Sequence, residues 1–546
     1  MDAVFTGVHR VHLFVYRQER SAVEARRRRG RPPGLVSDTT PADSPLLDPD
    51  VRAGWLLRSW RLRLTPESNA RSFAATLTGL GRSADASRVS RWETGRLPVP
   101  FHVIAAYEEA LGLPRGALVA LALLTRKLAR PRADLASVLD PRHVSAARFQ
   151  EVLDIIVDGS PRGGDWLEFA SFAASHPDQV ILPGSVWRAL VRRLVDQLGL
   201  SVGAAYATRS EASLLLGLHP RARTALVAAV GEHVTGSESL VVADAIALLQ
   251  QIDDPRSGDL VLRLLHHPQD ATRNGAIWAA AAKVSRGHLD DDQLATLERT
   301  VIGLVARGGM ESGGLFGQLR DLVHVLPEES RARVHRTVPL LTGTPPRPTP
   351  PEPPGRRTVA DVCRALARPD DEPDEPMLER LVEEAMFHKV AERRFQAGLS
   401  ISLSPYRARV ARGAARLLAD TPDAGLAGRL IAMLTMVATE AERDLLRRLA
   451  ADPGPLRLGA LIALAHVPPS VPPRHLRPDP LVSPGGTDLA TMRAALYCAG
   501  MTGDPVLDLV REDPRHEVWV RRAARWWREQ GPGIHEGMTV TTPDPG

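Results

Sequence analysis

Apolar and cationic positions interleave along residues 51–64 with a helical period. Leu56, Leu57 and Trp60 gather near one face and arginines occupy the others, so the stretch reads as an amphipathic helix. Thr65, Pro66 and Glu67 break it. Phe73 and Leu77 stand four apart and predict a second helix over 69–77. A turn follows at Gly79, Leu80, Gly81 and Arg82. Asp85 is then a good N-cap, because its carboxylate can accept free backbone N–H groups of a first turn. Val89 and Trp92, three apart, point to one side, while Ser87, Arg88 and Arg91 fall on the others. Gly95 suits a helix stop, and Pro98 and Pro100 prevent a simple continuation. Two more helices are predicted over 103–111, ended by Gly112, Leu113 and Pro114, and over 116–128. Five short helices in this span make an all-α unit.

The helical pattern persists afterwards but changes character. A turn with proline precedes an arginine and then small residues four apart, at Pro220, Pro268, Pro405, Pro453 and Pro514. Two of these pairs, Pro220 with Pro268 and Pro405 with Pro453, share a spacing of 48. Proline suits the first turn of a helix, and small residues let neighbouring helices approach closely. The pattern resembles degenerate HEAT-like or armadillo-like repeats, which implies an α-solenoid; a non-repetitive helical region is the other reading. The predicted organisation is therefore all-α: a disordered basic arm (1–47), the five-helix segment (48–130), a helical repeat region (131–341), a Pro-rich linker (342–357), a second repeat region (358–530) and a tail (531–546).

Composition supports helices: aromatics are 4% of the chain, and alanine, leucine, arginine and valine dominate. Nearly all basic residues are arginine, the only lysines being Lys127, Lys283 and Lys389. Arginine abundance by itself therefore says little. Its placement says more: residues 51–130 hold 13 Arg and Lys against 5 Asp and Glu, whereas the whole chain carries a net +5. The positive charge concentrates on the five-helix segment, as nucleic-acid binding requires. Cys363 and Cys498 are far apart with no ligand-spaced partners, so a disulfide framework or a zinc site is not expected. No apolar run reaches the roughly 18–20 residues of a bilayer span, and no secretory leader is expected at the start.

The run Ser87-Arg88-Val89-Ser90-Arg91-Trp92-Glu93-Thr94-Gly95-Arg96-Leu97-Pro98, with Ala105, Tyr107 and Leu111-Gly112-Leu113-Pro114 downstream, resembles the Cro/C1-type (XRE) helix-turn-helix regulators. The resemblance covers roughly residues 51–125 and implies a lambda-repressor-like DNA-binding domain. By position it assigns base reading in the major groove to Ala86, Ser87 and Arg91, with Ser90 beside them and Arg88 on phosphate or the groove edge. Arg82 and Arg96, flanking the same helix, complete the expected DNA contacts. Glu93 matches a position that bonds within the domain. The turn between the second and third helices is longer than the family's. Ala86 and Ser87 are also shorter than many members' residues, which leaves Arg91 as the long-reach reader. The plain alternative is a helical hairpin with solvated arginines.

Upstream, Arg29, Gly30, Arg31 and Pro32 resemble an AT-hook, which would lay arginines in a minor groove; a phosphate-binding arm or a solvated tail are the other readings. The search for catalysis finds no nucleophile elbow around Ser312, no phosphate loop after Gly79 and Gly81, and no metal-ligand spacing at His266 and His267. The expectation is thus a non-enzymatic, cofactor-free regulator of the cytoplasm and nucleoid. It binds double-stranded DNA as a homodimer, with the helical region receiving a protein partner or a small-molecule effector. The alternative is an α-solenoid scaffold that uses the helix-turn-helix only to localise on DNA.

Overall fold

Local capping sets the first helices. In the computed structural model, Asp48 accepts from the backbone N–H of Asp50 and Val51, and Pro49 occupies the first turn of α1 (Pro49–Leu64). Asn69 caps α2 (Ala70–Gly79) in the same way. Asp85 accepts from Arg88 N at 2.8 Å and opens α3 (Ala86–Glu93). Two glycines end α2 and α3. Gly81 and Gly95 have φ of 76° and 69°, a left-handed geometry that glycine adopts without strain. The residue after each donates back across the last turn, Arg82 N to Leu77 O and Arg96 N to Arg91 O, both 2.9 Å. Next come α4 (Phe101–Ala110) and α5 (Ala117–Ala129). The Glu108 carboxylate of α4 accepts from Gly116 N, Leu118 N and Val119 N, so an acid from one helix caps the start of the next. The five helices begin and end within two residues of the predicted bounds.

The structure describes residues 35–41, 44, 46–65, 69–129, 146–236, 241–306, 313–342, 358–369, 373–468, 479–482 and 488–538. They are mostly α-helical. The strands among them are two residues long: Ser201–Val202 pairs in parallel with Ile534–His535. The segment Met1–Val36 separates as a unit of its own, in which only Leu35 and Val36 are described.

Beyond α5, many helices pack on the helix two places further along the chain. Gly163–Ser175 packs on Ala204–Leu216, Gly184–Leu200 on Pro220–Thr235, and Asp270–Arg286 on Gly313–Val325. Later, Ala391–Ser402, Ala424–Val437, Arg457–His466, Leu489–Thr502 and Val518–Gln530 follow one another in a row by the same rule. Of the prolines expected in first helical turns, Pro220 is there, with His219 as its cap. Pro268, Pro405, Pro453 and Pro514 lie instead in the turns just before their helices. A turn suits a residue with no N–H to donate as well as a first helical turn does, and each helix starts two to four residues later.

The arginines of α1 do not all reach water: Arg63 is exposed and Arg58 half-buried, but Arg52 and Arg61 are buried, at 4% and 6% exposure, alongside Trp55, Leu56, Leu57 and Trp60. The reason is that each guanidinium meets a carboxylate that sequence spacing does not show. Arg52 Nη2 lies 2.6 Å from Glu384 Oε1 and its Nε 2.7 Å from Asp38 Oδ2. Trp55 stacks on Tyr406, and Trp60 Nε1 donates to Leu403 O at 2.8 Å. On the other side, α5 contributes Lys127, 2.6 Å from Glu211 Oε1. Through these contacts the five helices belong to one compact unit, Ser37–Gly546.

Candidate nucleic-acid interface

The inner side of α3 is fixed by packing and by one ion pair. Val89 is fully buried and Trp92 is 5% exposed. Beside them the Glu93 carboxylate receives Arg61 Nε at 2.6 Å and Arg61 Nη2 at 2.7 Å, and accepts from Tyr107 Oη at 3.1 Å. This is the internal role that the family resemblance implied for Glu93. Burial first, and the Glu93 charge after it, push the Tyr107 phenol upward, so it stays a neutral donor. The end of α3 also lies hard against α1. A Cβ at Gly54 would fall 2.3 Å from Trp92 O, and one at Gly95 would fall 2.5 Å from Val51 Cα. Only hydrogen side chains permit that approach.

The outer side of α3 is polar. Ser87, Arg88, Ser90 and Arg91 are exposed, Ala86 is half-buried at the first turn, and Arg96 is exposed just past the end. Arg82 is half-buried, and its Nε is a buried nitrogen without a hydrogen-bond partner among the described residues. The two arginines on α3 rest on local acceptors: Arg88 Nη1 donates to Ser83 O at 3.3 Å and Arg91 Nε to Ser87 O at 3.4 Å. The Arg88–Asp85 ion pair is long, 3.9 Å, and both side chains are about half exposed or more, so it restrains Arg88 weakly. Ser87, Arg88, Ser90 and Arg91 thus share the exposed side of α3, with Arg96 exposed just past its end and Arg82 half-buried before its start. Arg71, exposed in the first turn of α2, adds a cation that sequence reading passed over. Its position two residues after the Asn69 cap and one before Ser72, at a helix N-terminus, was the available signal.

The charge count needs revision. Several cations of residues 51–130 are matched by acids outside that span. Arg52 meets Asp38 and Glu384, Arg126 lies 3.4 Å from Asp50, Lys127 meets Glu211, and Arg115 lies 3.5 Å from Glu168. Apart from these, the exposed arginines among the described residues of the segment are Arg63 on α1, Arg71 on α2, and Arg88, Arg91 and Arg96 on and just after α3. Arg29, Gly30, Arg31 and Pro32, and the Pro-rich residues 343–357, lie outside the described residues.

The chain matches no protein-family model and no curated protein.

Elsewhere, no group of His, Cys, Asp and Glu suited to a metal ion occurs among the described residues. Cys363 and Cys498 are buried thiols, each pushed up to about 12 by burial, which disfavours the reactive thiolate. No helix among the described residues is long and apolar enough to cross a membrane.

Proposed function

We propose that this chain is a sequence-specific DNA-binding regulator of the Cro/C1 type. One observation carries the reading: α3 is locked inward by Val89, Trp92 and Glu93 while its opposite face offers Ser87, Arg88, Ser90 and Arg91 to solvent. A short rigid helix with that division suits the major groove. Arg91, one turn into α3, has the reach for a bidentate contact to guanine O6 and N7, which discriminates by roughly 1–3 kcal/mol. Ala86 packs on a thymine methyl and Ser87 serves several bases. Arg88, Arg82 and Arg96 hold phosphates and fix register. The protein acts as a dimer on paired half-sites, by occupying a promoter or touching polymerase, and the helices beyond α5 receive the controlling signal.

Selection of bound sites from random duplex DNA, with the full chain at fixed salt, tests this. Enrichment of one motif with two half-sites about 10 base pairs apart is the expected outcome. Recovery of unselected sequence at physiological salt would sink the reading.

A second reading has its own support. Helices that pack two places apart along much of the chain suit HEAT-like α-solenoid repeats, and such arrays bind proteins along a groove. In that case the chain is a scaffold and α3 only localises it. A protein partner whose capture is unchanged by Arg88→Ala and Arg91→Ala, while those changes release the chain from DNA, would favour the scaffold.

A further inference from the structure

A cleft of about 580 Å³ opens far from α3 in sequence, lined by three helices that each turn one face to it. Leu458 and Ile462 come from Arg457–His466, and Arg493 with Tyr497 from Leu489–Thr502. Trp519 and Arg522 come from Val518–Gln530. On each helix the lining positions recur at three- and four-residue steps, as one face of a helix requires. Val242, Gln269 and Ala271, the last from Asp270–Arg286, also line it. Room is made by Ala490, Ala494 and Ala523, which leave the volume unfilled where larger side chains would have closed it.

The polar groups of this cleft are of two kinds. His466 and Tyr497 satisfy each other: His466 Nδ1 lies 3.2 Å from Thr435 O, an acceptor only, so Nδ1 carries the proton and Nε2 accepts the Tyr497 hydroxyl at 2.8 Å. They present aromatic surface with no net charge. The second kind is Arg493 and Arg522. Neither has an ion pair or hydrogen bond within the described residues, and no carboxylate among those residues lines the cleft. Glu517, the nearest acid in sequence to Trp519, already accepts the Trp519 indole N–H at 3.1 Å. Arg493 is half-buried and Arg522 exposed, so both guanidiniums, set beside aromatic and aliphatic walls, are free to turn onto an anion. The volume suits one small molecule.

We propose that this cleft binds one anionic aromatic small molecule, its ring between Trp519 and the Leu458–Ile462 wall and its carboxylate or sulfonate on Arg493 and Arg522. An effector role for that ligand rests on the DNA-binding reading; the binding itself does not.

The test uses the full chain and two fluorescent probes of like shape, anionic 1-anilinonaphthalene-8-sulfonate and neutral N-phenyl-1-naphthylamine. The wild type should bind one sulfonate per chain saturably. Arg493→Gln with Arg522→Gln should weaken the sulfonate by about tenfold or more, leave the neutral probe nearly unchanged, and keep the helical circular dichroism. Ala494→Phe, which fills the cleft and keeps both arginines, should lose both probes. Equal sulfonate affinity in the arginine variant, many sulfonates per chain, or full retention of both probes by Ala494→Phe would overturn the proposal. Because no DNA is present, its failure leaves the reading of α3 untouched.

Discussion

Glu93 decides how α3 sits. Its carboxylate and the Arg61 guanidinium are both out of water, with side-chain exposures of 4% and 7%. Removing one partner strands the other charge, so Glu93→Ala should destabilise the chain by about 3–5 kcal/mol in urea unfolding. Arg61→Met with Glu93→Leu, which removes both charges, should recover much of that loss. If Glu93→Ala unfolds like wild type, the pair does not anchor α3. On the outer face the effects should be of another kind. Arg91→Ala should flatten the preference among bases while leaving affinity for random DNA nearly intact. Arg88→Ala should weaken all sequences alike and reduce the salt slope of binding by about one. Binding isotherms over a salt series, on selected and scrambled duplexes, separate the two, and identical profiles for both variants would refute the division of roles.

Among the elements, α1 and α3 were both readable as helices, but only for α3 was the division between buried and exposed side chains readable as well, and the physics differs. Caps and stops are local: Asn69, Asp85 and Gly95 act on backbone groups within a few residues, so one chain segment contains the whole argument. The resemblance also placed Glu93 inward although it is charged. The burial of Arg52 could not be seen because its acceptors are distant, and an arginine in an amphipathic pattern reads as solvated unless its partner is known. The same blindness inflated the local charge excess, since a count along the sequence omits acids brought by folding. The cleft around Arg493 was equally hidden, being assembled from helices whose small residues read only as packing positions. These differences give α1 a consequence of its own. A fragment of residues 37–130 would leave Trp55, Trp60 and Arg52 without Tyr406, Leu403 and Glu384. Such a fragment should unfold without a sharp thermal transition, unlike the full chain. A cooperative transition with near-native ellipticity would contradict this.

For the whole molecule, the junction around Arg52 sets a dependence on acid. Burial alone would raise Glu384, but the hydrogen bonds and charge of Arg52, with Arg380 and Arg393 behind it, outweigh burial and hold its carboxyl below the usual range. Asp38 follows the same pattern through Arg52 and Thr40. Lowered carboxyls stabilise the fold above the ordinary carboxylate pKa, near 4, and that contribution is lost as pH falls through the folded value. Glu108 acts in the opposite sense: burial pushes it up to about 7, so its contribution is present at acid pH and fades as pH rises through that value. Comparing wild type with Glu384→Gln cancels the Glu108 contribution. Melting temperatures from pH 7 down to 3 should converge between the two proteins as Glu384 takes up its proton. A constant difference across that range would show that Glu384 does not titrate with folding.

The same junction has a consequence in time. Arg52 and Glu384 are 332 residues apart. At roughly 5–20 residues per second, a ribosome takes on the order of 15–70 s between making one and making the other. Throughout that interval Trp55 and Trp60 lack their final partners, and the nascent five-helix segment carries an open apolar side. The chain's early life is therefore a window for chaperone capture or misassembly, and slowing translation between these positions lengthens that window in proportion.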